Sequence, residues 1–442
     1  MKKFGFALIG LMSVAILYYL TAGSAQITQK AKTQLAEQLT TLQKNGFLIQ
    51  ERNSTENEDH FIITFNDPQK MMHYLKAQGR EISLEDAKTL KGMQLGVDIK
   101  YLPDTYSALS LDLYPVALPQ TLLASMTEED KTLTTHIQSM LARKALLLHI
   151  DFNKMLSGFK GSFKDINETI EEKGEKVTIV AKEMTFKGSL TANKIQSFSQ
   201  KIGVLSLDAG EALQAQVTQI EGSYLMTGKS PYDALSHYHT QAILLKAQPN
   251  FSLQLKAIDN ETQNSVENGL LTSHIITKIA QSLIEIEQKR YEIKESLLDF
   301  QIENLDIATL EALQKSDPND ETHIRQLTQT LLSKGIIFTL KHFSAKKVVD
   351  NGVEMNGFEM NSSVVINKTF NMASASQNPL ALLNAIQMQT NIRISNELYA
   401  LTVQDPRAML MMMMVPPATQ HNSKVYHIEF SHGKLLVNGI SF

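Results

Sequence analysis

Apolar and polar residues alternate with a period of two through much of this chain, and that rhythm restricts it to strands with one buried face. Met93, Leu95, Val97, Ile99 and Tyr101 alternate with Gln94, Gly96, Asp98 and Lys100. Leu109, Leu111 and Leu113 alternate with Ser110 and Asp112, and Phe251, Leu253 and Leu255 with Ser252 and Gln254. Ile386, Met388, Ile392 and Ile394 share one face, opposite Gln387, Gln389, Asn391 and Arg393. Tyr426, Ile428 and Phe430 lead into His432-Gly433, and Leu435 and Val437 follow, which predicts a terminal hairpin. Sheets with one wet face are usually antiparallel.

Helical spacing interrupts the strands. Ile27, Ala31, Leu35, Leu39 and Leu42 put an apolar stripe on a helix assigned to residues 24–46, closed by Asn45-Gly46. It stalks off a membrane or packs on the body; a coiled-coil homodimer is the sharper alternative. Thr127 is placed to cap a helix carrying Leu133, Ile137, Met140 and Leu141. Another runs from about Asp320 through Ile324, Leu327 and Leu331 to Gly335. Shorter ones are expected at Gln69–Lys76, Leu84–Leu90 and Ala308–Leu313. Strands and helices do not alternate as βαβ units, so the expected class is α+β, a large, mainly antiparallel sheet with flanking helices. The best break inside the body, 47–442, is at Lys315–Asp320.

Phe4 to Leu20 carry no charge and follow Lys2 and Lys3. This predicts a transmembrane anchor over 4–21, a cytoplasmic tip at 1–3, and a periplasmic body held at the inner membrane by a single pass. The competing reading is a cleaved signal peptide ending at Ala22-Gly23-Ser24-Ala25. The chain has no Cys, which excludes disulfides, thiolate metal sites and a Cys nucleophile. A net charge of −4 without basic blocks argues against nucleic acid as a partner.

The chemistry-bearing patterns are sparse, and no cofactor is expected. Gly222 to Ser230 has five residues between Gly222 and Gly228 where a phosphate loop has four, and reads as a strand ending in a turn. His237 and His239 share a strand face, and Asp233 would complete a two-His, one-carboxylate metal set; two surface histidines are the plainer reading. His149 and Asp151 suit acid–base work, or a structural pair. A periplasmic hydrolase or metal-dependent enzyme is therefore the alternative to a non-catalytic binding or scaffolding protein. Met409, Met411, Met412, Met413 and Met414 suit contact with lipid or an envelope protein, or a buried helix. Asn53, Asn167 and Asn361 stand in acidic-extended glycosylation sequons, expected on exposed turns. Phe-Lys-Gly recurs at Phe159-Lys160-Gly161 and Phe186-Lys187-Gly188.

The whole plan resembles the YdgA-like family of Gram-negative envelope proteins. The resemblance rests on the charged start and apolar run of Met1–Leu20, the helix closed by Asn45-Gly46-Phe47, Glu303-Asn304-Leu305-Asp306 after a strand, and the hairpin from Tyr426 to Gly439. It implies an inner-membrane anchor, a periplasmic body and no known catalytic residues.

Overall fold

The computed structural model describes residues 27–77, 82–119, 121, 131–172, 175–191, 194–314, 316, 320–372, 383–404 and 415–441. The expected fold class needs correcting. Strand accounts for about 60% of the structure and helix for 20%, so the architecture is mainly antiparallel β rather than α+β. The physical reason is strand length: several strands run for 14–18 residues, far beyond the stretches where alternation is plain. Nor is the transmembrane helix upheld. Among the described residues no helix is long and apolar enough to cross a membrane, and the segment 4–21 lies outside them. The chain divides into two compact units after Gly210; the expected break at 315–320 falls inside the second.

The first unit is an antiparallel meander. Strands β1 (Phe47–Ser54), β2 (Glu58–Phe65), β3 (Gln94–Tyr101), β4 (Ser107–Ala117), β5 (Leu148–Asn153) and β6 (Gly158–Phe163) pair in succession. Beyond β6 come β9 (Thr185–Thr191) and β10 (Lys194–Asp208). The hairpin of β7 (Ile166–Glu172) and β8 (Glu175–Lys182) joins through β8 to the far half of β10. One face is packed. Phe61, Ile63, Phe65, Val97, Ile99, Leu109, Leu111, Ile150 and Phe152 alternate inward, and each is almost wholly buried. Helices α1 (Ile27–Lys44), α2 (Pro68–Ala77) and α3 (Leu84–Thr89) bring Leu35, Leu39, Met71 and Ala87 into burial. The predicted stripe on α1 is thus core, and the helix stops where Gly46 turns left-handed at φ +94. Ser83 caps α3, accepting from the Asp86 N–H.

The Phe-Lys-Gly repeat pairs with itself. In the β6–β9 ladder Phe159 faces Gly188, Lys160 faces Lys187 and Gly161 faces Phe186. Each phenyl ring lies over the opposite glycine. A Cβ on Gly161 would sit 2.4 Å from the Phe186 ring, and one on Gly188 2.5 Å from Phe159. The rings of Phe159, Phe186 and Phe198 then gather with centroids 6.2–6.4 Å apart. Glycine is required at both positions by the approach of a cross-strand aromatic.

The second unit is built from longer strands: β11 (Leu213–Met226), β12 (Ala234–Ala247), β13 (Phe251–Glu267), β14 (Leu270–Ile286), β15 (Lys289–Asp306), β16 (Ile337–Asp350), β17 (Val353–Ile366) and β18 (Ile386–Ser395). Each pairs antiparallel with the next. The terminal hairpin is present: after the short β19 (Ala418–Gln420), β20 (Ser423–Ser431) pairs with β18 on one side and with β19 and β21 (Lys434–Val437) on the other. Helix α5 (Ile307–Gln314) follows β15 and packs with α6 (Glu321–Leu332), whose N-cap Asp320 accepts from the His323 N–H at 3.0 Å. Gly222–Ser230 is a strand end and turn, with Tyr224 inside β11 and Thr227 N–H donating to Asp233 O.

A straight crease crosses this sheet. Along it the register runs through without offset, yet one opposed position per strand is left out of the pairing: Gln219, Gln241, Ala257, Ala280, Glu295, Lys346 and Gly357. The ladders of β14–β15, β15–β16 and β16–β17 shift register elsewhere, at Leu271–Ser273, Asp299–Phe300 and Leu340–Phe343. Gln219, Ala257 and Glu295 are left-handed, with φ of 48°, 47° and 53°. At this line the in–out alternation changes parity. In β17 Glu354 and Asn356 are exposed before it, Glu359 and Asn361 after it. In β13 exposure passes from Lys256 to Glu261, Gln263 and Ser265. The slip keeps apolar rows on one face: Val217, Ile243, Leu255, Ile293 and Val348 on one side, Ile220, Ile258, Ile279, Ala345 and Phe358 on the other.

Candidate functional site

The open face of the first unit's sheet carries a row of ionisable side chains. Its residues alternate with the core: His60 precedes Phe61, Asp98 lies between Val97 and Ile99, and His149 between Leu148 and Ile150. The register aligns His60, Asp98, Asp112, His149 and Ser162 on β2 to β6. His60 Nδ1 lies 2.5 Å from Asp98 Oδ1, and His149 Nδ1 2.6 Å from Asp112 Oδ1. His149 Nε2 meets Asp151 at 3.2 Å. Asp151 also accepts from the Ser110 hydroxyl and faces Lys160 Nζ at 3.6 Å.

Helix α4 (Lys131–Ala142) is fastened to this unit by charge. Lys144, just past its end, reaches Asp98 Oδ2 at 3.0 Å and stands 3.7 Å from the centroid of the Tyr114 ring. Arg143 donates to the buried Glu168 of β7, and His136 Nε2 lies 3.0 Å from the same carboxylate without making a directed hydrogen bond. Burial works against the Asp98 carboxylate, but His60, Lys144 and Tyr114 outweigh it and hold its pKa below the ordinary value. Burial likewise opposes the charged His149 imidazole, and Asp112 and Asp151 overcome it, raising that pKa. Asp59 is turned the other way, into the core, where it accepts from the Tyr101 hydroxyl at 2.7 Å. Burial and this carboxylate push the Tyr101 pKa up.

The residues singled out from sequence fall elsewhere. His237 and His239 do share a strand face on β12, but they meet Asp259 of β13, at 3.8 and 2.8 Å. Asp233 does not join them. It closes the turn before β12, accepting from the backbone N–H of Val266 at 2.7 Å and of Ser230 at 3.2 Å. Among the described residues no three His, Asp or Glu side chains gather to hold a metal ion. His149 has carboxylates beside both ring nitrogens, Asp112 at Nδ1 and Asp151 at Nε2. Asn53, Asn167 and Asn361 are exposed, yet they lie within β1, β7 and β17 rather than on turns, and Asn361 Oδ1 accepts from Asn391. Met409, Met411, Met412, Met413 and Met414 lie outside the described residues.

The second unit presents a different surface. Beyond the crease, on the apolar face, the register aligns Gly222, Tyr238, Asn260, Thr277, Leu298, Phe343, Met360, Ile392 and Tyr426 on β11 to β18 and β20, so this row is apolar from Leu298 onward and polar at Asn260 and Thr277. Tyr238, Leu298 and Phe343 are 40, 36 and 38% exposed. Phe343 packs edge-on against Phe358 at 5.2 Å, and Phe300 stacks on Phe338 at 6.4 Å. No protein-family model matches the chain, and no curated protein or solved structure matches it either.

Proposed function

We propose that this chain is a non-catalytic binding protein of the cell envelope, working on the periplasmic side, whose second unit holds lipid acyl chains on its apolar sheet face. The observation that carries the reading is the wet apolar pair of Leu298 and Phe343, directly opposed on β15 and β16 of that face. Apolar side chains left together at a sheet surface cost solvation free energy, about 25 cal/mol for each Å² that a ligand would cover. Thr240, Asn260, Thr277, Ser282 and Ser296 interrupt the rows on β12 to β15, and the unbroken apolar stretch from Leu298 through Phe343, Met360 and Ile392 to Tyr426 suits a flexible hydrocarbon rather than a compact polar ligand. The charge-free run behind Lys2 and Lys3 and the resemblance to YdgA-like proteins support the envelope placement.

The test is lipid extraction and mass spectrometry of the purified full chain, followed by titration of the delipidated protein with a fluorescent long-chain fatty acid. Copurified lipid and saturable binding are expected, and Phe343→Asp should weaken binding roughly tenfold or more while leaving the circular dichroism unchanged. A delipidated wild type that binds no fatty acid would refute the reading.

A further inference from the structure

We infer that His149 is a proton-operated clasp on the open face of the first unit, bonding β4 to β5 when protonated and loosening that face when neutral. The argument starts from the register. Asp98 and Asp112 face each other directly across β3 and β4, a juxtaposition of like charges that weakens a sheet unless cations answer it. Asp98 is answered by Lys144, with His60 and Tyr114 also donating to it. Among the described residues, Asp112 has only His149, directly opposite on β5. Asp151, on the same strand as His149, draws the other ring nitrogen and shares Lys160 of β6. Ser110 on β4 and Ser162 on β6, in register with Asp151 and His149, carry no charge. His136, Arg143 and Lys144, on and just past α4, which packs on β4, are engaged elsewhere: His136 and Arg143 at Glu168, and Lys144 at Asp98.

A neutral imidazole has one N–H and can donate to only one of the two carboxylates; its other nitrogen then sets a lone pair against an anion. The imidazolium has two donors and bonds both. Protonation therefore turns the repulsive contact into a second bond and charges the bond to Asp112, so that the link between β4 and β5 no longer competes with Asp151 for a single N–H. The sign follows. The folded imidazole pKa is raised, so the stabilisation is fully present below the unfolded value of about 6.5 and is lost as pH rises through the folded value. The same directly opposed pairing recurs in the second unit, where His239 faces Asp259.

Two measurements on the full chain decide it. In a sample with 13C-labelled histidine, the His149 resonance, assigned by its loss in His149→Gln, should titrate with a midpoint above that of a free imidazole. Urea unfolding of the wild type should show a higher midpoint at about pH 6 than at about pH 8.5, and His149→Gln should reduce that difference, leaving the share of the other His–Asp pairs. If His149→Gln does not fold, Asp112→Asn serves: it should lower the His149 midpoint. A wild-type His149 midpoint at or below about 6.5, or a pH difference unchanged in the variant, would overturn the proposal.

Discussion

The two units solve the same problem, an apolar sheet face, in opposite ways. The first spends helices on it. Among the described residues, 26 apolar side chains are buried in the first unit and ten in the second, although the second is slightly longer. In the first, α1, α2 and α3 close over short strands and the face becomes core. In the second, among the described residues, the strands outrun the helices that could cover them, and aromatic and aliphatic side chains stay half in water. The difference teaches that an identical alternating pattern specifies strand and facing but not cover. What packs on the face decides whether it contributes stability or remains available to bind.

The most forceful way to break this comparison is to empty each face in turn. Phe152, fully buried, should cost about 3–5 kcal/mol as Phe152→Ala, read as lost amide protection across β4 to β6. Phe343→Ala should cost only about 1 kcal/mol by the same measurement in β15 to β17, and should instead weaken fatty-acid binding. Comparable losses in the two units would end the distinction. A smaller effect tests how tightly the first unit is packed. Gly161→Ala or Gly188→Ala drives a methyl into a phenyl ring and should lower stability by about 1–3 kcal/mol, measured by urea unfolding. The smallest effect belongs to the crease. Ala257→Gly relieves a left-handed backbone worth roughly 1–2 kcal/mol and gives back part of it to the freer unfolded chain, so a net gain of about 0.5 kcal/mol is expected. Destabilisation there would show that the Ala257 methyl group contributes packing to the crease.

Local signals were read well where a segment carried its own period. The helices expected at Gln69–Lys76, Leu84–Leu90 and Ala308–Leu313 are found at Pro68–Ala77, Leu84–Thr89 and Ile307–Gln314. The strand at Met93–Tyr101 and the hairpin around His432-Gly433 are present as well. The extent of the second unit's strands was hidden by the parity change: after Leu255 the alternation breaks at Ala257 and resumes out of phase, so the strand looks finished when it has ten residues to run. The ionisable row was hidden by topology. Asp98 and Asp112 read only as wet-face residues, because 38 residues separate His60 from Asp98 and 37 separate Asp112 from His149. Asp233 and Asp259 show the same limit, since nearness in sequence favoured the wrong carboxylate for His237 and His239.

The crease has a consequence for how such a sheet can grow. Every strand from β11 to β17 donates one residue to the same transverse line, and the pairing resumes in the same register immediately on either side of it. Width is thereby uncoupled from bend. A further hairpin needs only to set one residue on that line to join a surface already folded, and its greasy side chains arrive on the shared side automatically. An odd insertion within a single arm, by contrast, would turn that arm inside out while leaving its other half correct.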